Sequence, residues 1–178
     1  MNPWKKQKSK LVYDNPWVSV LDEEVINPGG GVSLYGRVHF KNLAIGIIPL
    51  DAELNTWLVG QWRYPLNLYS WEIPMGGGLR SEDKLASAKR ELKEETGISA
   101  NIWEEFLTMH TSNSVTDEVG YAYVAKDLTF GETEFEESED LTIKKLPFQE
   151  AVDMCLNGEI TDGLSMVAIL KLHSILKQ

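Results

Sequence analysis

A chain of 178 residues, 43% hydrophobic and with a formal net charge of −10, has enough apolar sequence for one domain with a buried core. The acidic balance argues against a nucleic-acid partner, because phosphate backbones require a basic surface. No apolar run reaches membrane-spanning length, the N-terminus MNPWKKQKSK lacks the apolar core of a signal peptide, and a single cysteine excludes an internal disulfide; a cytoplasmic protein without membrane contact is expected.

In chain order, residues 10–40 read as short strands. Residues 17–21 are apolar and β-rich, Asn27-Pro28-Gly29-Gly30-Gly31 is a turn, and 32–40 is a second β-rich run. A strand pair of this kind is marginal alone, so it must lie on the main sheet or on a second subunit. Residues 43–50 (LAIGIIPL) form a buried strand, 51–55 a turn, and 56–64 a strand that closes a hairpin with it. Residues 65–68 loop out, and 69–74 lead to the run Gly76-Gly77-Gly78. A helix follows, with Ser81 as N-cap, Glu82 and Asp83 at its positive end, and Gly97 at its C-terminus. Residues 102–110 and 119–125 are strands, 131–140 (GETEFEESED) is an acidic loop, and 142–146 is a last strand. Helices over 148–156 and 162–177, parted at Gly158, end the chain. Cys155 falls in step with Phe148, Ala151 and Val152, as a buried small hydrophobe does. His39, His110 and His173 show no ligand spacing and read as structural or exposed. Strands on both sides of one central helix imply an α/β fold. A mixed sheet sandwiched between helices would occupy 41–178, with an N-terminal antiparallel strand region over 1–40.

The chemistry concentrates in the central helix. Leu85, Ala88 and Leu92 share a narrow apolar stripe at about 100° per residue. Glu91, Glu94 and Glu95 lie on the neighbouring arc, and no Lys or Arg falls inside it. Glu91 and Glu95 are like charges one turn apart, which costs roughly 0.2–0.5 kcal/mol in a bare helix. Three carboxylates converging beside a core need a cation, and hard oxygen donors suit Mg²⁺ or Mn²⁺. The alternative for such a run is a solvated acidic face.

The spacing Gly76, Glu82, Arg90-Glu91-Leu92, Glu94-Glu95, Gly97-Ile98 resembles the Nudix box at every fixed position. The resemblance implies the α/β/α Nudix fold. It implies Glu91, Glu94 and Glu95 as metal ligands and the backbone carbonyl of Met75 as a further one. Glu82 would be a supporting ligand or an orienting carboxylate, and Arg90 an electrostatic brace. Upstream, Gln61-Trp62-Arg63-Tyr64 and Trp71-Glu72-Ile73-Pro74 resemble the approach to the box in ADP-ribose pyrophosphatases and related sugar-nucleotide hydrolases. Arg63 would face the metal site from a strand end, where a guanidinium matches phosphate oxygens two at a time, or would be held in an ion pair. Glu72 would accept from a ribose or a base, or pair with Arg63. Residues 111–118 (TSNSVTDE) resemble that group's Ser-Pro-Gly-Phe-Ser/Thr-Asp-Glu loop through Ser112, Asp117 and Glu118, which implies substrate contacts at Asp117 and Glu118. Asn113, Ser114 and Val115 depart from it, so a preference broader than ADP-ribose is expected.

Glu137-Ser138-Glu139 resembles the Glu-x-Glu stretch of the same relatives. Glu139, or Glu137, would take a proton from the attacking water, and Glu139 would serve as one more metal ligand. The aromatics Trp4, Tyr13, Trp17 and Tyr35 pack the N-terminal hairpin, or one of them, with Trp17 as the candidate, stacks on a nucleobase. The expected protein is a homodimer that hydrolyses nucleoside diphosphate sugars of ADP-ribose or GDP-mannose type. A Nudix enzyme acting on nucleoside triphosphates is the alternative. A catalytically silent nucleotide sensor of the same fold is a second, against which the intact Glu set argues.

Overall fold

A computed structural model describes residues 1–133 and 140–178. The N-terminal region is a meander of β1 (Lys5–Asp14), β2 (Val18–Ile26) and β3 (Val32–Phe40). The turn between the last two uses Gly30 at φ 87, a conformation that costs glycine nothing. β1 extends the expected strand region toward the N-terminus. Its Lys-rich sequence carries no apolar alternation and every residue is exposed. Backbone pairing to β2, as at Leu11↔Leu21, is what keeps it extended.

β4 (Asn42–Pro49) and β5 (Asn55–Arg63) follow, with Asp51 accepting bonds from Glu53 N, Asn55 N and Asn55 Nδ2 in the turn between them. The expected hairpin does not form. Both edges of β4 are occupied, by β7 (Met75–Leu79) running antiparallel with Ile45↔Gly76, and by β9 (Val119–Phe130) running parallel with Ile45↔Tyr121. A strand paired on both sides has no free backbone donors or acceptors for a third neighbour. β5 pairs instead with β6 (Leu68–Glu72) and β10 (Thr142–Pro147) in a separate three-stranded sheet. β8 (Ile98–His110) completes the central sheet beside β9.

Helix α1 (Lys84–Thr96) covers one face of that sheet and α3 (Gly163–Leu176) the other, with α2 (Phe148–Asn157) packed on α3 and on β5 and β10. The period-2 alternation of β4 sorts the core. Ile45 and Ile47 pack with Ala88 and Leu92, while Ile48 packs with Leu164, Ala168 and Ile169. The result is the α/β/α arrangement that the sequence predicts. Cys155 is buried among the residues of α2 and α3, and burial pushes its thiol up to about 11, which leaves it inert as a nucleophile. Among the described residues, no helix is long and apolar enough to cross a membrane.

One boundary moves. Asp83, not Ser81, is the N-cap of α1, its carboxylate accepting from Leu85 N at 3.4 Å and Ala86 N at 3.3 Å. Ser81 and Glu82 stay in a turn closed by Glu82 N donating to Leu79 O at 3.0 Å. That turn needs non-helical backbone before the helix can start. Gly97 caps the other end at φ 69, its N–H donating to Lys93 O.

Candidate active site

Three consecutive glycines in β7 let α1 lie directly on the strand. A Cβ at Gly78 would come 2.8 Å from Ser87 Oγ, and one at Gly76 would sit 2.1 Å from the carboxyl carbon of Glu91. The Glu91 carboxylate therefore rests flush on the Gly76 backbone. Glu95, one turn on, is 2% exposed and accepts from Met75 N at 2.9 Å. Glu91 is buried as well, and Glu94 is half-buried.

Arg90 stands at the edge of this arc. Its Nη2 donates to Gly77 O at 3.0 Å and lies 2.7 Å from Glu91 Oε1, while Nη1 donates to Glu94 Oε2 at 2.7 Å. The sequence places no basic residue inside the arc, yet the length of the arginine side chain brings a cation to two of its three carboxylates. Among the described residues, no three acidic, histidine or cysteine side chains converge closely enough to hold a metal ion as they stand. The donors nevertheless suit one. Three carboxylates and the Met75 carbonyl are hard oxygen ligands, and the Gly76 cradle clears the space a side chain would fill. Buried carboxylates are also costly without positive charge beside them.

A cleft of about 410 Å³ opens along the glycine run, lined by Trp17, Phe40, Asn42, Arg63, Met75, Gly76, Gly77 and Glu118. It brings together four of the residues expected at a site: Trp17, Arg63, Met75 and Glu118. Arg63 is fixed there by Glu72, whose carboxylate accepts from Nε at 2.8 Å and from Nη2. Glu72 is 2% exposed, so it is a buried anchor under the guanidinium and does not itself line the cleft. Glu118 accepts from Thr111 Oγ1.

Asp117 faces protein groups. Its Oδ2 accepts from Arg37 Nη1 at 3.0 Å and lies 2.6 Å from His39 Nδ1; its Oδ1 accepts from Phe40 N at 2.9 Å. Burial pushes this carboxyl up, but the bonds from His39 and Phe40 and the charges of His39 and Arg80 outweigh it and hold the group below its ordinary value. Glu137 and Glu139 lie outside the described residues. Sequence reasoning did not single out Phe40, Asn42, Arg37 or Arg80. Arg37, Phe40 and Asn42 lie far from the box in sequence, and Arg80, inside it, stands at none of its fixed positions.

A larger hollow of about 600 Å³ lies at the far end of β4, lined by Asp51, Lys126, Lys145 and Leu176 among others. Of its acids, Asp51, Glu53 and Asp127, the first is bonded to Asn55 and lies 3.0 Å from Lys145, and the box carboxylates are not part of it. The smaller cleft is the one beside the chemistry.

Comparison with known proteins identifies the family. The NUDIX domain profile matches residues 40–162, and that of the nucleoside diphosphate sugar hydrolase N-terminal domain matches residues 4–38. The chain is 31% identical over 171 residues to an ADP-ribose pyrophosphatase of Mycobacterium tuberculosis, covering 94% of this chain and 82% of that one. It is 30% identical over 174 residues to a methanol dehydrogenase activator of Bacillus methanolicus, covering 96% and 94%. An ADP-ribose pyrophosphatase of Bacillus subtilis is 26% identical over 160 residues, covering 89% and 86%. A crystal structure described as an ADP compounds hydrolase superposes with a TM-score of 0.88 over 99% of this chain and 96% of the other, at 20% identity, and so shares its fold.

Proposed function

The chain belongs to the Nudix family, and on that premise we propose that it hydrolyses the pyrophosphate bond of nucleoside diphosphate sugars, releasing a nucleoside monophosphate and a sugar phosphate. The observation that carries this reading is the cleft in which Arg63, Trp17 and Glu118 meet the Gly76–Gly77 face of the box. An aromatic face, a guanidinium and a carboxylate in one cleft suit a base, a diphosphate and a sugar in turn.

Nudix hydrolases use divalent metals. Here Glu91, Glu94 and Glu95, with the Met75 carbonyl, are the residues that would hold Mg²⁺ or Mn²⁺. When bound, such an ion neutralises phosphate oxygens and makes water more acidic. Arg63, its plane locked by Glu72, donates to the diphosphate oxygens and stabilises the negative charge that grows as water adds to phosphorus. Trp17 offers a stacking face for the base. Glu118 accepts from hydroxyl groups of the sugar. Glu139, with Glu137 beside it in sequence, is the base that takes the proton of the attacking water.

Asn113 and Ser114 make the 111–118 loop more polar than a Pro-Gly turn, and this favours a range that includes GDP-mannose as well as ADP-ribose. Residues 1–40 form a separate unit from 41–178, and through it two copies pair as a cytoplasmic homodimer. The exposed Leu11, Val12, Tyr13 and Leu34 of that unit support the pairing.

The test is a panel of nucleotide sugars, nucleoside triphosphates and capped RNA with Mg²⁺, with products identified. Cleavage of ADP-ribose or GDP-mannose to a monophosphate and a sugar phosphate is expected. Triphosphates or capped RNA turned over about a hundredfold more efficiently than any nucleotide sugar would remove the substrate reading.

A further inference from the structure

Among the described residues, the β1–β3 sheet pairs with no strand of the other two sheets. Its backbone link to the catalytic domain at the 111–118 loop is short: Val38 N donates to Val115 O at 2.9 Å and Asp117 N to Val38 O at 3.2 Å, a single parallel bridge. Around that bridge, one carboxylate gathers three segments. Asp117 takes Arg37, His39 and the Phe40 amide from β3. From the β7–α1 turn it takes Arg80, whose Nη2 donates to Asp117 O at 3.0 Å and lies 3.5 Å from Oδ1. Arg80 Nε also donates to Phe40 O at 2.8 Å, so both backbone polar groups of Phe40 are held. Phe40 and Glu118, each one bond or one residue from Asp117, line the cleft; Asp117 does not.

Charge-assisted bonds of this kind are about twice as strong as neutral ones. Without the carboxylate, Arg37 and Arg80 would face one another across the joint with their shared anion gone. Arg37 would keep Glu23 at 3.5 Å, a contact inside its own sheet that does nothing for the joint.

We propose that Asp117 is a positioning residue. Acting through Arg37, His39 and Arg80, it fixes the Trp17–Phe40 wall of the cleft against the Gly76–Gly77 face, and it does not touch the substrate. This rests on the substrate reading above and adds the device that registers the base-side wall with the diphosphate side.

The experiment compares Asp117→Ala, the double variant Arg37→Ala/His39→Ala, and the triple variant. Asp117→Ala should raise KM for a nucleoside diphosphate sugar about tenfold and lower kcat less than about threefold. The double variant should reproduce that split, and the triple should not exceed Asp117→Ala by more than about twofold, because all three groups serve one joint. Amide exchange at Val38 and Phe40 should quicken about tenfold in Asp117→Ala, with α1 unchanged. Asp117→Asn, which keeps an acceptor for the Phe40 amide, replaces Asp117→Ala if the latter does not fold, and should show a smaller shift in the same sense.

A wild-type KM in the double variant, or effects that multiply in the triple, would mean that Asp117 binds substrate directly and would overturn the proposal. If the wild-type protein cleaves no nucleotide sugar, the substrate reading fails by itself. The exchange measurement then decides alone, and unchanged protection at Val38 and Phe40 overturns the anchor.

Discussion

Helix α1 is held on β7 by groups near in sequence: Arg90 reaches Gly77 across 13 positions and Glu95 reaches Met75 across 20. The β1–β3 sheet is held at the same cleft by bonds that span 77 to 80 positions, from Phe40, His39 and Arg37 to Asp117. The first region carries buried carboxylates on a glycine bed, where a single atom added or removed changes the chemistry. The second carries partly exposed charges at a joint, where loss of one group loosens a wall. Damage to the box face should therefore appear in kcat, and damage to the sheet or its joint in KM.

The largest effect belongs to Glu95. Glu95→Gln should lower kcat/KM by about three orders of magnitude, as a chelator should, while circular dichroism and the melting midpoint stay near wild type. Full turnover in that variant, with metal affinity unchanged, would end the claim that the box face is the chemical one.

Gly76→Ala comes next. Its Cβ would lie 2.1 Å from the Glu91 carboxyl carbon, so the flexible end of Glu91 must swing off the strand. Steady-state kinetics should show kcat down about a hundredfold, since a misplaced group near the chemistry costs about that much. An effect confined to KM would blur the division between the two regions.

Asp51 tests the division from outside both. Burial pushes its carboxyl up, but bonds from Asn55 and Lys145 prevail and hold it at about 2, below the ordinary carboxylate range. A carboxyl lowered on folding stabilises the native state above its unfolded value, and that contribution fades as pH falls from near 4 toward 2. Asp51→Asn should lower urea-unfolding stability at pH 7 by about 1–2 kcal/mol and flatten the acid limb of the stability curve. The KM and kcat of the folded fraction should hold; a shift in either would tie the far end of β4 to the cleft.

The smallest effect is expected at Trp17, 66% exposed on the cleft's rim. Trp17→Ala should raise KM about fivefold, with the greater part of the loss in KM, as removal of one stacking face at an open site does. A loss equal in kcat and kcat/KM would move Trp17 to the chemical side of the comparison.

The box could be read from the chain because its partners sit at fixed short spacings. Helical periodicity alone places Glu91, Glu94 and Glu95 on one arc, and Gly97 ends the helix by itself. The layered α/β arrangement followed from the order of elements, strands before and after one central helix with helices at the end. Other features were decided in three dimensions. Whether β4 and β5 pair depends on which strands have already taken the edges of β4, and those come from residues 75–79 and 119–130. Arg63 and Glu72 were open to substrate or to each other in sequence; folding buries Glu72 and bonds it to Arg63, while Arg63 still lines the cleft. Asp117 read as a substrate contact, through the resemblance of its loop. Only folding brings Arg37, His39 and Arg80 to it, because a charge pair is fixed by distance in space, and sequence spacing carries that distance only within a helix, a strand or a turn.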